Sequence, residues 1–497
     1  MSDTTVRWGG QGEDYRLKKI KTTESELIRP EDPAPELAPS WHIPQRVKTL
    51  PYLEIIFTLL GTLGVIVLMA TYVGTGGVVS AATMTLLALI PLGIVLGVLN
   101  YLDHWEREGW KAKFLCFIWG AGVATASSLV VNTTLNLDLA RTLGDANIAT
   151  VLVAVIVAPF AEELFKGLGI IIFIVARRNS INSRLDGLIT GGIVGAGFAF
   201  IENIQYFLKS SSSGSLMLTS TVFNRGILSP FVHPMATSFT GMAIALVIIR
   251  CYGPLWSTIR VFLGYLTAVF FHAFWNFLAS VNDQGSWYVA YLFFEVPLFV
   301  AWFVFLLIQY SRELSNIQRG LIPYVVGGWV LPVEVGMVSD RAQRRNAVEW
   351  AAKSGSEARK SMDRFLNALA AVGLDEANRE KRHRPDPGRD AYDRALLDKA
   401  IQERSRFLSL TQLSQTAAQV GAWPRDAEGI PHRRAARVIL FDEEDRVLLV
   451  RGHDADNPER SWWFTVGGGI EDGENARQCA SRELFEETGI RLAPELL

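Results

Sequence analysis

The stretch APFAEELFKG, Ala158–Gly167, decides the fold expected for this chain. It places two carboxylates and a lysine inside an apolar run from about Val151 to Val175. An ionised group at the centre of a bilayer costs at least roughly 2.5–3.5 kcal/mol, so such groups persist where they face a polar interior and do chemistry or transport there. The alternative is a structural ion pair between Glu162 and Lys166, which lie at the favourable i, i+4 spacing of a helix.

Apolar runs of similar length surround this stretch, and each is close to the ~20 residues that a helix needs to cross a bilayer. A buried helical core in a soluble protein would not repeat runs of this length with so few charges. The expected fold class is therefore an all-α polytopic membrane protein with eight transmembrane helices in residues 50–310. The eight spans are roughly Pro51–Val73, Val78–Tyr101, Phe114–Leu135, Ile148–Ala176, Leu185–Leu208, Ile227–Ile249, Ile259–Ser280 and Trp287–Tyr310.

Lysine and arginine alternate between the loops in a way that fixes the expected orientation. They are concentrated after every second span, which by the positive-inside rule predicts a cell-membrane protein with both termini in the cytosol. Residues 1–49 are polar, acidic and proline-rich, and we expect a disordered cytosolic tail rather than a cleaved signal peptide. The net charge of −2 averages over two unlike parts, and no nucleic-acid partner is expected. The loop cations are Arg107, Lys111, Lys113, Arg177, Arg178, Arg184, Arg250, Arg260, Arg312 and Arg319.

Four consecutive spans carry ionisable or amide side chains at compatible depths. Glu162 and Glu163 lie near the middle of span four, whereas the groups of spans five, six and seven fall in the outer halves of their spans. Scattered polar residues with local partners would not be expected to align in this way, so a shared site is predicted. The groups from spans five to seven are Glu202 with Asn203, His233, and His272 with Asn276 one helical turn later.

Two chemistries are compatible with these groups. Two histidines can complete a Zn²⁺ site with one glutamate, Glu163 in our prediction, which leaves the other glutamate as the base. Alternatively, a glutamate activates water without a metal, while a histidine and Asn276 stabilise the oxyanion. In either case Lys166 has a supporting role, holding Glu162 or Glu163 ionised.

The order Glu-Glu-x-x-Lys, Phe-Ala-x-x-Glu-Asn, a histidine in the next span, and His-x-x-x-Asn resembles the PrsW-type intramembrane proteases. These are multi-pass bacterial enzymes related to the CAAX-prenyl endopeptidases, and they cleave membrane-anchored regulators such as anti-sigma factors. The resemblance covers roughly Leu50 to Tyr310. It implies that the catalytic set consists of Glu162, Glu163, His233 and His272, assisted by Glu202, with Asn203 in a supporting position.

Residues 311–430 are expected to form a cytosolic helical linker region. Ala342–Val372 and Ala391–Leu413 have helical patterns, which favours a helical hairpin or a loosely ordered linker. The connection between them contains a basic cluster that we interpret as a solvated face, with contact to anionic lipid as the alternative. That cluster is Arg379, Lys381, Arg382 and Arg384.

Residues 431–497 resemble part of a Nudix domain. Two β-rich runs, Ala436–Phe441 and Val447–Arg451, flank an acidic turn. They are followed by every fixed position of the Nudix box, in which three glutamates at i, i+3 and i+4 share a helix face suited to Mg²⁺. The sequence stops shortly after the box, so we expect an incomplete sheet and no diphosphate hydrolysis. The box residues are Gly468, Glu474, Arg482, Glu483, Glu486, Glu487 and Gly489.

The function predicted from the sequence is hydrolysis of a peptide bond in a membrane-anchored protein substrate, within the lipid bilayer. One alternative is a transporter or proton relay that uses the same buried carboxylates. Another is a Nudix diphosphate hydrolase anchored by the membrane part.

Overall fold

The computed structural model describes residues 51–103, 109–281, 284–327, 329–410, 434–442, 446–453, 461–471 and 473–497. The expected disordered tail, residues 1–49, lies outside these ranges. The membrane part is built from helices, three of which contain a π-helical turn. These helices are α1 Tyr52–Gly76, α2 Val78–Leu102, α3 Trp110–Leu143, α4 Ala146–Ala176, α5 Arg184–Ser212, α6 Ser215–Phe223, α7 Val232–Arg250, α8 Pro254–Val281 and α9 Gly285–Val326.

Eight candidate membrane spans occur in the described residues, which confirms the predicted number. Helix α6 and its π-helical continuation form the first part of the sixth span, before a turn at Ser229–Phe231 leads into α7. Helix α5 is central, because 83% of the residues in its most apolar segment are buried, against 17% in α1. The fold class is therefore that of a polytopic helical membrane protein.

Glycines allow α5 and α7 to approach closely, as the small-residue face of α5 predicts. A Cβ atom at Gly195 would lie 2.6 Å from the carbonyl oxygen of His233, and one at Gly191 would lie 2.5 Å from that of Thr237. Both distances are too short for any other residue. The two glycines therefore bring the beginning of α7, with its histidine, directly against α5.

A compact bundle of four helices follows α9 and replaces the loosely ordered linker that was one of the two expectations. Its α12 and α13 form a helical hairpin, although the first predicted arm, Ala342–Val372, is divided between α11 and α12. Phe365, Leu366 and Leu369 on α12 are fully enclosed in the core of the bundle. The core extends to Ile317 and Leu321 in the last turns of α9, so the bundle packs directly on the final membrane helix. The helices are α10 Pro332–Ser339, α11 Arg341–Ala352, α12 Ser356–Arg379 and α13 Pro387–Leu410.

The predicted solvated face between α12 and α13 is wrong for Arg382. Its guanidinium is buried and pairs with Asp375, and with Asp390 at 2.9 Å. Burial lowers the pKa of Arg382 and these carboxylates raise it, with a raised pKa as the net effect. The same turn reaches the membrane part, because the backbone N–H of His383 donates to the carbonyl of Arg250 at 2.8 Å.

Three connections of the membrane part contact the bundle, so they lie at one end of the membrane part. We call this end, marked by Tyr101, Arg178 and Arg250, the basic end. Arg341 donates to the carbonyl of Tyr101 at 3.3 Å, and Arg178 pairs with Asp386 at 2.8 Å. The loop-charge pattern likewise placed these connections on one side.

The carboxy-terminal segment contains two two-stranded antiparallel sheets within the described residues. Strand β1 (Ala435–Arg437) pairs with β4 (Gly467–Gly469), and β2 (Val450–His453) pairs with β3 (Ser461–Phe464). The two β-rich runs of the prediction pair with each other only near their turn, at Phe441 and Val447. Residues 443–445 of that acidic turn lie outside the described ranges. Helix α14 (Ala476–Thr488) covers β1 and β4.

Candidate active site within the helix bundle

Glu163 lies at the centre of a fully buried hydrogen-bond network. Its Oε1 accepts from Lys166 Nζ at 2.8 Å and contacts His272 Nδ1 at 3.0 Å, and its Oε2 accepts from Thr237 Oγ1 at 2.9 Å. Lys166 is also enclosed and lies 3.7 Å above the ring of Phe198. The network joins α4, α5, α7 and α8, so these four helices meet at this carboxylate.

Glu162 points in a different direction, as expected for adjacent residues on a helix. Its Oε1 accepts from Asn132 Nδ2 at 3.2 Å. Its Oε2 is buried and has no hydrogen-bond partner in the described part of the chain, although it faces His272 Nε2 at 3.6 Å and Lys166 Nζ at 3.7 Å. In the neutral tautomer of His272 whose Nδ1 donates to Glu163, Nε2 carries a lone pair that faces the Glu162 oxygen. A proton or a cation between these two atoms would satisfy both.

His233 completes the group from the first turn of α7. Its ring lies 4.7 Å from that of His272 in a perpendicular arrangement. Its Nε2 contacts Glu202 Oε2 at 2.7 Å, and its Nδ1 lies 3.1 Å from Lys166 Nζ. Glu202 also pairs with Arg225, which donates through Nε to Asn203 Oδ1 at 3.0 Å. The predicted pair Glu202 and Asn203 thus holds Arg225 and orients His233.

The donors of Glu162, His233 and His272 fit a metal ion. One ligand atom from each of these three buried residues lies within 4.8 Å of the others. The unpartnered oxygen of Glu162 supports this fit, and Glu163 on the far nitrogen of His272 provides the outer hydrogen bond that metal-bound histidines commonly make. The structure therefore groups Glu162 with the histidines, whereas the sequence prediction assigned Glu163. Both oxygens of Glu163 contact Lys166, Thr237 or His272, whereas Glu162 keeps an oxygen without a partner in the described residues. A metal ion at His233 would have to displace one of the contacts that its two nitrogens make with Glu202 and Lys166.

The metal-free prediction placed Asn276 where it would stabilise the oxyanion, but the structure gives this side chain a different partner. Its Nδ2 donates at 2.8 Å to the carbonyl of Ala154. That carbonyl lies in the π-helical turn Val153–Val157, where the usual helical pairing is disturbed. Asn276 therefore fixes the geometry of α4 about two turns before the glutamates instead of facing a reacting oxygen.

Three contributors were not predicted: Asn132, Thr237 and Arg225. Asn132 and Thr237 are common residue types in membrane helices and carry no charge that would single them out. Arg225 did have a signal, because it lies in a connection otherwise poor in cations.

The predicted Nudix box is assembled in the carboxy-terminal segment. Arg482 donates to both oxygens of Glu474 at 3.0 Å and to Glu483 at 2.8 Å, which raises the pKa of its guanidinium and lowers that of Glu474. A side chain at Gly468 would collide with Glu483, and Gly489 ends α14 at a φ of 75°, in the left-handed region that favours glycine. Glu487 accepts from the backbone N–H of Gly467 at 3.2 Å, and Glu486 lies 3.0 Å from Arg482.

Helices long and apolar enough to span a membrane enclose carboxylates, imidazoles and a lysine at one point, as in a polytopic membrane protein with a buried polar centre. Residues 108–305 match the model of the PrsW family intramembrane metalloprotease. Over these residues the chain is similar to the PrsW family, and this match supports an intramembrane protease. Residues 431–497 match the NUDIX domain.

Curated relatives are similar to the NUDIX region. They include RNA pyrophosphohydrolases of Dinoroseobacter shibae, 43% identical over 67 residues, and of Bartonella quintana, 38% identical over 68 residues. These matches cover 14% and 13% of this chain, and 40% and 39% of the relatives. The chain thus spans about two fifths of the length of the curated relatives it matches. No solved structure matches the chain.

Proposed function

We propose that the membrane domain is an endopeptidase that cleaves membrane-anchored protein substrates, including regulatory ones, at the Glu162–His272 centre. The observation that carries this proposal is the buried, unpartnered oxygen of Glu162 opposite His272 Nε2. A water molecule held between these two atoms would have two proton acceptors beside it, the Glu162 carboxylate and His272 Nε2. Lys166, together with the groups that hold Glu163, keeps the centre charged and oriented.

A metal ion bound by Glu162, His233 and His272 would supply Lewis-acid activation of water and of the scissile carbonyl. We propose Zn²⁺ as that ion, because histidine and carboxylate donors suit it. Glu163 then holds His272 in the tautomer with Nε2 free. Glu202 holds His233, whose Nδ1 also contacts Lys166.

The test compares membranes from cells that express the parent chain or Glu162→Gln together with a tagged single-pass substrate. We expect cleavage to fall at least about 100-fold in Glu162→Gln, because the amide neither accepts a proton nor ligates a cation as a carboxylate does. Gel analysis of the tagged fragments measures cleavage. Glu54→Gln, which changes an exposed glutamate of α1 outside the site, is the matched control and should leave cleavage unchanged.

Full cleavage by Glu162→Gln that reaches the membrane in normal amount would contradict the proposal. Treatment of the purified parent with a chelator, followed by return of Zn²⁺, tests the metal separately. Activity that survives in protein shown by elemental analysis to be metal-free would reject Zn²⁺ and retain the glutamate.

We further propose that the protein lies in the cell membrane with both termini and the α10–α13 bundle in the cytosol. The loop arginines and lysines support this orientation, and so does the contact of Tyr101, Arg178 and Arg250 with the bundle. Under this orientation the Glu162–His272 centre lies toward the opposite side of the bilayer from the bundle.

A second candidate function is Mg²⁺ binding by the NUDIX domain, favoured by the braced box around Arg482. The paired change Glu486→Gln and Glu487→Gln should weaken Mg²⁺ binding at least about tenfold, because it removes two carboxylates from one helix face. Calorimetric titration of the full chain measures this, with the exposed Glu495→Gln as control. Equal Mg²⁺ affinity in the paired variant and the parent would reject the site.

A further inference from the structure

A cavity of about 270 Å³ lies at the basic end, far from the Glu162–His272 centre. Its walls come from the beginning of α5, the end of α7, the middle of α9 and the end of α12 with the turn that follows. It is therefore formed jointly by the membrane helices and the helical bundle. Its size leaves room for a multi-atom ligand, since a single water needs only ~10–15 Å³ measured in the same way.

The lining of this cavity is strongly cationic. Against five cationic side chains it contains one carboxylate, Glu313, which is itself buried. Cations at helix ends are common in membrane proteins, where their long side chains spread toward the interface. Here they converge from three helices and the α12–α13 turn on one cavity that is partly open to solvent, at which Arg312, Arg319 and Lys381 are exposed. The five are Arg184, Arg250, Arg312, Arg319 and Lys381.

None of these five forms an ion pair with a carboxylate among the residues that the structure describes. Arg250 donates to the carbonyl of Lys381 at 3.3 Å, and Arg319 donates to the Asn316 side chain at 2.8 Å, so both contact neutral groups. Cations immediately outside the cavity behave differently: Arg178 pairs with Asp386, and Arg382 with Asp375. The protein thus neutralises its cations around the cavity but leaves those facing it uncompensated.

The lining arginines repel Lys381, which is the one of the five cations that lies outside the membrane helices. The pKa of Lys381 is lowered by partial burial and by the positive charges of Arg319, Arg250 and Arg184. The cavity therefore has a positive potential that an anion would relieve.

A neutral side chain, Gln309, gives independent support for an anionic ligand in this cavity. Gln309 is only 5% exposed and lines the cavity, and its amide Nε2 is buried without a hydrogen-bond partner in the described ranges. A buried N–H donor without an acceptor is destabilising, and such groups usually have a water or ligand partner. Guanidinium groups and an amide donor around one cavity are the groups that recognise phosphate oxygens.

We propose that this cavity binds a phosphate-bearing anion, either the headgroup of an anionic phospholipid or a soluble phosphate compound. The bound anion holds the α12–α13 turn against the ends of α5 and α7. Those two helices carry Glu202 and His233 about 25 Å farther along. Binding of the anion does not depend on the proposed proteolytic activity.

The test uses the full chain purified in an uncharged detergent and in lipid discs. One arm titrates inorganic pyrophosphate into the detergent sample, and the other compares discs of phosphatidylcholine alone with discs containing phosphatidylglycerol. The midpoint of thermal unfolding, followed by tryptophan fluorescence, should rise in at least one arm. A rise with pyrophosphate identifies a soluble ligand, and a rise only with phosphatidylglycerol identifies a lipid headgroup.

Two variants distinguish the cavity from general surface charge. The pair Arg312→Gln and Lys381→Gln should weaken binding at least about tenfold, because it removes two of the five cations. The pair Arg345→Gln and Lys353→Gln, on the exposed face of α11 and just after it, removes the same charge and should bind as the parent does.

Gln309→Leu keeps the charge and removes the unsatisfied donor. We expect it to raise the unfolding midpoint without ligand and to lower the affinity for the anion. The proposal is overturned if the parent responds to neither anion source beyond an equal ionic strength of NaCl. It is also overturned if both charge pairs lose affinity equally.

Discussion

At the scale of single residues, the two adjacent glutamates have separate roles because a helix turns them about 100° apart. Glu163 has both oxygens occupied, by Lys166, His272 and Thr237, and it positions His272. Glu162 keeps one oxygen without a partner and faces the other nitrogen of that histidine. Glu162 is therefore the residue that we expect to contact the reacting water, with Glu163 as its positioning residue.

Thr237 tests this division, because it contacts Glu163 and not Glu162. Thr237→Val should lower kcat/KM about 10- to 100-fold, since Glu163 would lose one of the bonds that orient it toward His272. The matched control is Thr240→Val one turn later on α7, whose buried hydroxyl has no hydrogen-bond partner within the described residues. It should leave activity unchanged, so equal losses in the two variants would contradict a role for the Thr237 bond. Cleavage of the tagged substrate at several substrate concentrations gives the measurement.

At the scale of elements, the α12–α13 hairpin contains a buried charge cluster that the sequence pattern did not reveal. Asp375 and Asp393 face each other, with Arg382 and Arg389 beside them. Burial and the hydrogen bond and negative charge of Asp375 raise the pKa of Asp393 to about 9, whereas the pKa of Asp375 is lowered. The cluster therefore holds a proton on Asp393 at neutral pH.

This proton makes the stability of the hairpin depend on pH. Between an unfolded pKa of about 4 and the folded pKa of about 9, the folded state binds one more proton than the unfolded state. The free energy of unfolding should consequently fall as pH rises through this window and then become level. Asp393→Asn, which resembles the protonated acid, should remove that fall and stabilise the protein by about 1–3 kcal/mol at pH 8.

Denaturant unfolding at pH 5, 7 and 9 checks this expectation. Asp398→Asn on the same helix controls for the loss of any carboxylate. An Asp393→Asn variant that is less stable than the parent at pH 8 would show that Asp393 is ionised there.

At the scale of the whole molecule, Arg389 connects the helical bundle to the membrane part. It is 2% exposed, pairs with Asp375, and donates to the carbonyl of Ile181 at 2.6 Å in the α4–α5 connection. Its neighbours thus belong to both parts of the chain, and its charge is one of the links between them.

Arg389→Met should loosen this junction, because it leaves Asp375 without a main partner and the Ile181 carbonyl without a donor. Loss of one partner of a buried pair costs about 3–5 kcal/mol, so trypsin should cut the α12–α13 connection faster than in the parent. Arg394→Met, an exposed change on the same helix, provides the control. Identical cleavage rates for Arg389→Met and the parent would show that the junction is held by other contacts.

Much of this protein follows from local sequence patterns. Apolar run length alone specifies eight spans, since a helix must cover the hydrocarbon core. The spacing of the box from Gly468 to Gly489 specifies the loop–helix motif, because its carboxylates and arginine interact over only a few turns. Loop cations indicate which connections share a side, although the orientation itself stays a prediction.

Only the tertiary structure decided what depends on helix rotation and on distant partners. The rotation of the helices about their own axes groups Glu162, rather than Glu163, with the two histidines. It also turns Asn276 toward the Ala154 carbonyl. Distant contacts brought in Asn132, Thr237 and Arg225, and buried Arg382 where a solvated face was expected. A helical period gives the depth of a side chain but not its neighbours, because these depend on how several helices pack around Gly191 and Gly195.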